Sequence, residues 1–435
     1  MKKLNLVVAI SAALTATASL PTIADDSVQF HGFAMAAGDF QSELDRPKNL
    51  ALHTDITGPN QDPRGKMGDL GNTYWHDYFT ALSLNKRFDG VQEGEWADFT
   101  FELLGYGDKS VEASQMYVQY GGLDFLPENA RVWAGRKYAG ERIRNLAYNI
   151  REINVDSGIG YNSDNLDVTI GYNQADWSDP NSNNNSLLAA EGSRTVFDFA
   201  YRFGNAEIGA NYMQELDDPY VRMGLAGPGA KERKSNAYSA FAKYKFASFL
   251  GLAGNSSVML QGGKGLIAQY LSTARISALS EEDDKSMRLS YYGMIHQFEG
   301  FTIEPSLVYE YTDRAEQRRI TAINDTLGGW RSDYTFGSAE EQGLFAAVSV
   351  HQALTNNLSM QYEVVYANKT NRDGVEGIDG SMYKLAMGPS LQLKSVPWAV
   401  PVTNISIAYV GGDEEITDLP VDSEWRLGYR FEVFF

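Results

Sequence analysis

The stretch EWRLGYRFEVFF, residues 424–435, decides the fold. Read alternately, Trp425, Leu427, Tyr429, Phe431, Val433 and Phe435 share one face, and Arg426, Gly428, Arg430, Glu432 and Phe434 share the other. Successive side chains of a strand point to opposite sides, so the segment reads as a strand between two solvents, one apolar and one wet. The same period recurs upstream. In FTIEPSLVYEYTD (301–313), Phe301, Ile303, Pro305, Leu307, Tyr309 and Tyr311 oppose Thr302, Glu304, Ser306, Val308, Glu310 and Thr312. In LSMQYEVVYANKT (358–370), Leu358, Met360, Tyr362, Val364 and Tyr366 oppose Ser359, Gln361, Glu363, Ala367 and Lys369. Tilted strands of about ten residues cross the hydrocarbon of a bilayer.

The connections between such runs alternate in length. Sharp turns stand at Glu299-Gly300, Gly204-Asn205, Thr355-Asn356-Asn357 and Asn162 to Asn165, with weaker ones near 86–96, 121–130, 249–256 and 395–401. Long polar connections lie near 39–73, 105–111, 139–158, 173–194, 214–235, 263–286, 312–341, 368–380 and 411–424. Eight short and nine long connections imply 18 strands. An even count, with short turns on one side and long loops on the other, is the pattern of a bacterial outer-membrane β-barrel. Closure pairs every backbone donor and acceptor, as hydrocarbon requires, so the last strand is expected to close against the first, QFHGFAMAAG (29–38). The competing fold is a soluble two-sheet β-protein. It suits these polar faces and lopsided loops poorly.

Composition agrees with export. MKKLNLVVAISAALTATASLPTIADD opens with Lys2 and Lys3, then an apolar run from Leu4 to Leu14 too short to span a bilayer. It reads as a signal peptide over residues 1–24, cleaved after Thr22-Ile23-Ala24 or, as a second choice, Ala16-Thr17-Ala18, leaving one barrel domain over 25–435. There is no cysteine, so disulfides and thiolate metal sites are excluded. A formal net charge of −19 argues against nucleic acid as a partner.

Several short stretches, in order, resemble the maltoporin family of sugar-specific porins: FHGFA (30–34), LGN (70–72), LDFLPENARVWAGRKY (123–138), GGKGL (262–266), PWAVP (397–401) and DSEWRLGYRFEVFF (422–435). The resemblance implies an 18-stranded barrel, usually a homotrimer, whose third loop folds inward to narrow the pore. A line of aromatics then guides oligosaccharides past a charged constriction. On that resemblance Phe33, Phe79, Trp398 and Phe434 take the aromatic positions, Asp77 being the alternative to Phe79. Alternation alone already turns Phe434 inward among Arg426, Arg430 and Glu432. The chemistry suits sugars, because aromatic rings stack on the C–H faces of a pyranose while charged and amide groups bond its hydroxyls. The competing role for each ring is to fill the core or to sit at the headgroups.

Departures from the family pattern concentrate after WAGRKY. Arg142 falls on a constriction arginine, Arg144 and Asn149 where acids are usual, and Arg151 where a narrowing tyrosine is usual. A more basic constriction leaves two readings open, one of them a preference for acidic sugars or small anions. The alternative is that these arginines pair with Glu141, Glu152 or other lumenal acids and grip hydroxyls. The second loop, YGDKSVEAS, has no tryptophan to reach a neighbouring subunit.

No enzyme or cofactor site emerges. The five histidines lack metal-pair spacing, and neither a nucleophile elbow nor a phosphate loop is present. His31, on the face of Phe33, and His296 read as wall residues. The acidic runs at 281–284 and 411–415 read as solvated loop charge, with divalent cations bridging to lipopolysaccharide as the alternative. The expected function is facilitated diffusion of sugars across the outer membrane, among its lipid and lipopolysaccharide. The alternative is an anion-preferring or general pore.

Overall fold

The structure, a computed structural model, describes residues 28–41, 70, 77–106, 111–144, 149–173, 194–215, 236–268, 271, 282–314, 320–323, 331–334, 339–371, 380–393, 400–413 and 423–434. The signal peptide expected over 1–24 lies outside them. The strands are β1 (Val28–Gln41), β2 (Asp77–Asp89), β3 (Trp96–Tyr106), β4 (Glu112–Gly121), β5 (Arg131–Arg144), β6 (Asn149–Asn162), β7 (Leu166–Asn173), β8 (Arg194–Phe203), β9 (Ala206–Glu215) and β10 (Asn236–Phe249). They continue as β11 (Leu252–Lys264), β12 (Lys285–Ile295), β13 (Phe301–Arg314), β14 (Ile320–Ile323), β15 (Arg331–Tyr334), β16 (Ala339–Ala353), β17 (Leu358–Asn371), β18 (Gly380–Gln392), β19 (Val400–Gly412) and β20 (Ser423–Phe434).

Eighteen of these pair antiparallel, each with its neighbour in sequence, into one sheet. β14 and β15 form a separate hairpin within the connection from β13 to β16. The sheet closes where β1 meets β20, in a register running from Phe33 opposite Phe434 to Gln41 opposite Arg426. The 18-stranded barrel read from the sequence is therefore the observed fold, and each of the eight short connections falls where it was expected. The structure differs at the third long connection. Where a loop was expected over 139–158, β5 runs on to Arg144 and β6 begins at Asn149, with irregular register between them. The tip, 145–148, on which an inward fold of that loop would rest, lies outside the described residues.

The two faces differ as the alternation predicts. Leu307, Val364, Leu385, Ile405, Leu427 and Phe431 are exposed on the outside. The inner face carries the charge, as buried pairs between neighbouring strands. Arg288 of β12 meets Glu310 of β13 at 3.3 Å, Lys369 of β17 meets Glu341 of β16 at 3.1 Å, and Lys243 of β10 meets Glu207 of β9 at 2.6 Å. Arg202 of β8 extends the last pair, bonding Asp167 of β7 and reaching Glu207 at 3.8 Å. Such pairs satisfy groups that would otherwise be costly to bury, and they fix the register of the wall.

Candidate functional site: a narrowed passage

Two segments enter the barrel from its long-loop side. After β11 the chain turns at Gly265 into a short 3-10 turn, Gly265–Ile267, that buries Leu266 and Ile267. These two pack against Trp133 of β5, Val155 of β6, Val196 of β8, Met213 of β9 and Ala237 of β10. Lys264 braces this tongue, its ammonium 2.9 Å from the Asp283 carboxylate in the returning chain. The hydrogen bond from Lys264 holds the Asp283 carboxyl below the usual carboxylate range.

The second insertion is Leu70, from the connection between β1 and β2. Its side chain packs on Ala386 of β18 and Ala408 of β19. Its amide N–H donates to Glu363 Oε1 at 3.2 Å, and its carbonyl accepts from Lys384 Nζ. Lys384 and Glu363 are themselves paired at 2.6 Å, with no exposed surface on the lysine side chain. The tongue lies against β5–β10 and the Leu70 clamp against β17–β19, so the two narrow the lumen from roughly opposite walls.

The inner wall of β20, β1 and β2 carries the aromatic site. Phe33 and Phe434 are directly opposite in the closing ladder. Facing residues of an antiparallel pair share a side, so both rings sit on the face of Glu424, Arg426 and Glu432. Their centroids are 4.7 Å apart with planes tilted by 43°. Phe434 retains 47% of its surface exposed, and nearby Arg430 and Glu432 pair at 3.0 Å. The Phe434 ring is thus exposed beside a charged pair at the short-turn end of the barrel.

The other expected residues stand as follows. Phe79 lies in β2 with its backbone opposite Met35 and Tyr106, a register position on the inner face; its side chain lies outside the described residues. Trp398 lies outside them entirely, although Val400, two residues on, pairs with Phe434. Arg142 lies in β5, Arg151 pairs by backbone with Ile143, and Asn149 with Arg144; their side chains too lie outside the described residues. His31 sits opposite Ser83 and contacts Gln29 at 3.3 Å, while His351 contacts Ser349 at 3.3 Å, both consistent with wall residues.

Sequence reading missed the site on β4 and β5. Trp133 and Lys137 lie in the longest stretch quoted for the resemblance and share a face by alternation, yet the Tyr117 ring that joins them comes from the neighbouring strand. The Lys137 ammonium stands 4.4 Å from the centre of the Tyr117 ring and 5.0 Å from that of Trp133. Trp133, Gly135 and Lys137 share one face of β5, and Tyr117 stands opposite Gly135, whose φ is +133°. Between Gly135 and Lys137 β6 supplies one residue more than β5, a bulge on β6 that leaves the alternation of β5 intact. Trp133 lies flat on Gly160 of β6, where an added Cβ would come within 2.3 Å of the indole nitrogen.

Comparison with known proteins gives the identity of the fold's owner. A family profile described as LamB porin matches residues 63–435. The chain belongs to the LamB porin family. The maltoporin resemblance therefore stands, although the strand carrying Phe33 precedes the matched span. None of the curated proteins compared matches the chain. Similar solved structures include OprD of Pseudomonas aeruginosa, 11% identical, covering 94% of this chain and 95% of that one, with a TM-score of 0.49. The outer-membrane channel DcaP of Acinetobacter baumannii is 10% identical, covering 95% and 99%, with a TM-score of 0.44. An anion-selective porin from Comamonas acidovorans is 10% identical, covering 94% and 98%, with a TM-score of 0.42. Family and closed barrel together make the chain a bacterial outer-membrane channel of porin type.

Proposed function

We propose that this porin carries sugars by facilitated diffusion, oligosaccharides stacking on Phe33 and Phe434 as they leave the narrowed passage. The observation that carries the reading is the ring pair, 4.7 Å between centroids, with Phe434 half exposed beside the Arg430–Glu432 pair. Water-filled walls rarely leave large apolar rings uncovered without a ligand that covers them. A stacking surface that binds weakly lets sugar enter and leave, and the concentration gradient drives the flux. Phe79 and Trp398 extend this track in the reading. Arg142, Arg144, Asn149 and Arg151 supply a polar constriction toward the outer mouth. No reaction is involved.

The functional unit we propose is a homotrimer in outer-membrane lipid and lipopolysaccharide, formed after removal of residues 1–24. Liposome swelling tests the sugar reading. Vesicles holding the protein should admit maltose and maltotriose faster than a neutral polyol of matched size. Equal rates set by solute size alone would establish a general diffusion pore instead.

A further inference from the structure

We propose that Lys137, on its floor of Tyr117 and Trp133, is the anion-recognition point of the passage, and that the sugars selected carry a carboxylate. The inference rests on the sugar reading above and deepens it by naming the substrate class. Lys137 is the seventh of the fourteen residues of β5, which places it near mid-height in the wall. Its strand partner Val155 and its ring partner Trp133 are both packed against Leu266 and Ile267 of the tongue. Lys137 therefore stands at the rim of the segment that narrows the lumen.

The contrast with three buried lysines of the inner wall carries the argument. Lys243, Lys369 and Lys384 each bind a carboxylate on the neighbouring strand. Among the described residues, no carboxylate lies within ion-pair distance of Lys137. The acids near it are engaged by other cations: Asp156 by Arg136 at 3.2 Å, and Asp167 by Arg202. Arg131, on the same strand and the same side, adds positive charge toward the short-turn end. The two rings hold the ammonium through their π faces, which accept no hydrogen-bonded proton strongly, so the three N–H donors remain for a solute.

The local backbone is built to present this group. Gly135 cannot become alanine without a Cβ 2.3 Å from the Met116 carbonyl oxygen, and Gly160 cannot without striking the Trp133 ring. Two glycines thus give this lysine's floor its close backbone approach. A carboxylate binding there would meet a charge-assisted hydrogen bond away from bulk water, while the pyranose ring reaches the apolar surface beside it. Neutral sugars gain the second part and only a weaker hydrogen bond, from the ammonium to a hydroxyl.

The test uses the full mature protein in planar bilayers, with maltose and digalacturonate as probes of ion-current block. Wild type should bind digalacturonate more tightly than maltose. Lys137→Met should weaken digalacturonate block by roughly tenfold, the worth of one hydrogen bond to a charged group, and maltose block by much less. Lys137→Arg should keep most of the preference, and Lys137→Met should shift the reversal potential in a KCl gradient toward cations. Circular dichroism of each variant checks the barrel. Maltose block with no preference for digalacturonate, or a Lys137→Met change that strikes both sugars equally, overturns this inference and leaves the sugar reading intact. Absence of block by either sugar in wild type overturns both.

Discussion

Lys384 and Lys137 face the same lumen from different walls, and their surroundings could hardly differ more. Lys384 is fully buried, bound to Glu363 at 2.6 Å and to the Leu70 carbonyl. Lys137 is half buried over two rings, with no carboxylate beside it among the described residues. The first lysine closes the wall on itself and pins a loop. The second is held in place without being neutralised. The interior thus holds both wall whose charges are paired with one another and, on the inference above, wall that keeps charge for a solute.

Breaking the closed wall should have the largest effect. Lys384→Met leaves the Glu363 carboxylate buried without its cation and releases the Leu70 carbonyl. Loss of one partner of a buried pair costs about 3–5 kcal/mol. Urea unfolding in detergent should register that loss, and Lys384→Met combined with Glu363→Leu should recover part of it. Lys137→Met should by comparison cost about 1 kcal/mol or less in the same assay, since only ring contacts are lost.

The tongue is the next largest. Ile267→Ala removes a buried side chain from its seat against Trp133 and Val155 and should loosen the segment by about 2 kcal/mol. Single-channel conductance should then rise, with more frequent transitions between current levels. Smaller again is Phe434→Ala. Aromatic stacking is worth about 0.5–1.5 kcal/mol, so sugar block should weaken by about threefold to tenfold while ion conductance holds. The smallest effect is on pH. The Asp283 carboxyl is depressed by its hydrogen bond from Lys264. Its support for the tongue is complete above the ordinary carboxylate range and is lost as pH falls through the depressed value. A slight rise in open-channel noise on acidification, absent in Asp283→Asn, checks the sign.

Much of the barrel was legible because a bilayer imposes a strict period. The alternation in β20 assigned Phe434 to the lumen, and the structure places it there against Phe33. Turn chemistry located the connection at Gly204-Asn205 to the residue and the end of the one at Glu299-Gly300. The insertions were not legible. Leu70 meets Glu363 and Lys384 across some three hundred positions of chain, and no local pattern announces a contact that long closure creates. The tongue begins in GGKGL, which was read only as part of a long polar connection, because its burial depends on the inner faces of β5 through β10. Lys137 shares a face with Trp133 by plain alternation, but the Tyr117 ring that completes its floor comes from β4, a neighbouring strand whose register no local pattern gives. The extent of the third connection was overestimated for a related reason: polar residues on a strand that outgrows the membrane read like a loop.

The central claim is that a ring pair at the periplasmic mouth makes a water-filled barrel bind sugar. The most direct measurement is titration of maltotriose against single-channel current for wild type and for Phe33→Ala combined with Phe434→Ala. The account predicts saturable block in wild type, block weakened by roughly tenfold or more in the double variant, and the same ion conductance in both. A wild-type current that sugar never reduces, or equal block in the two proteins, would contradict it.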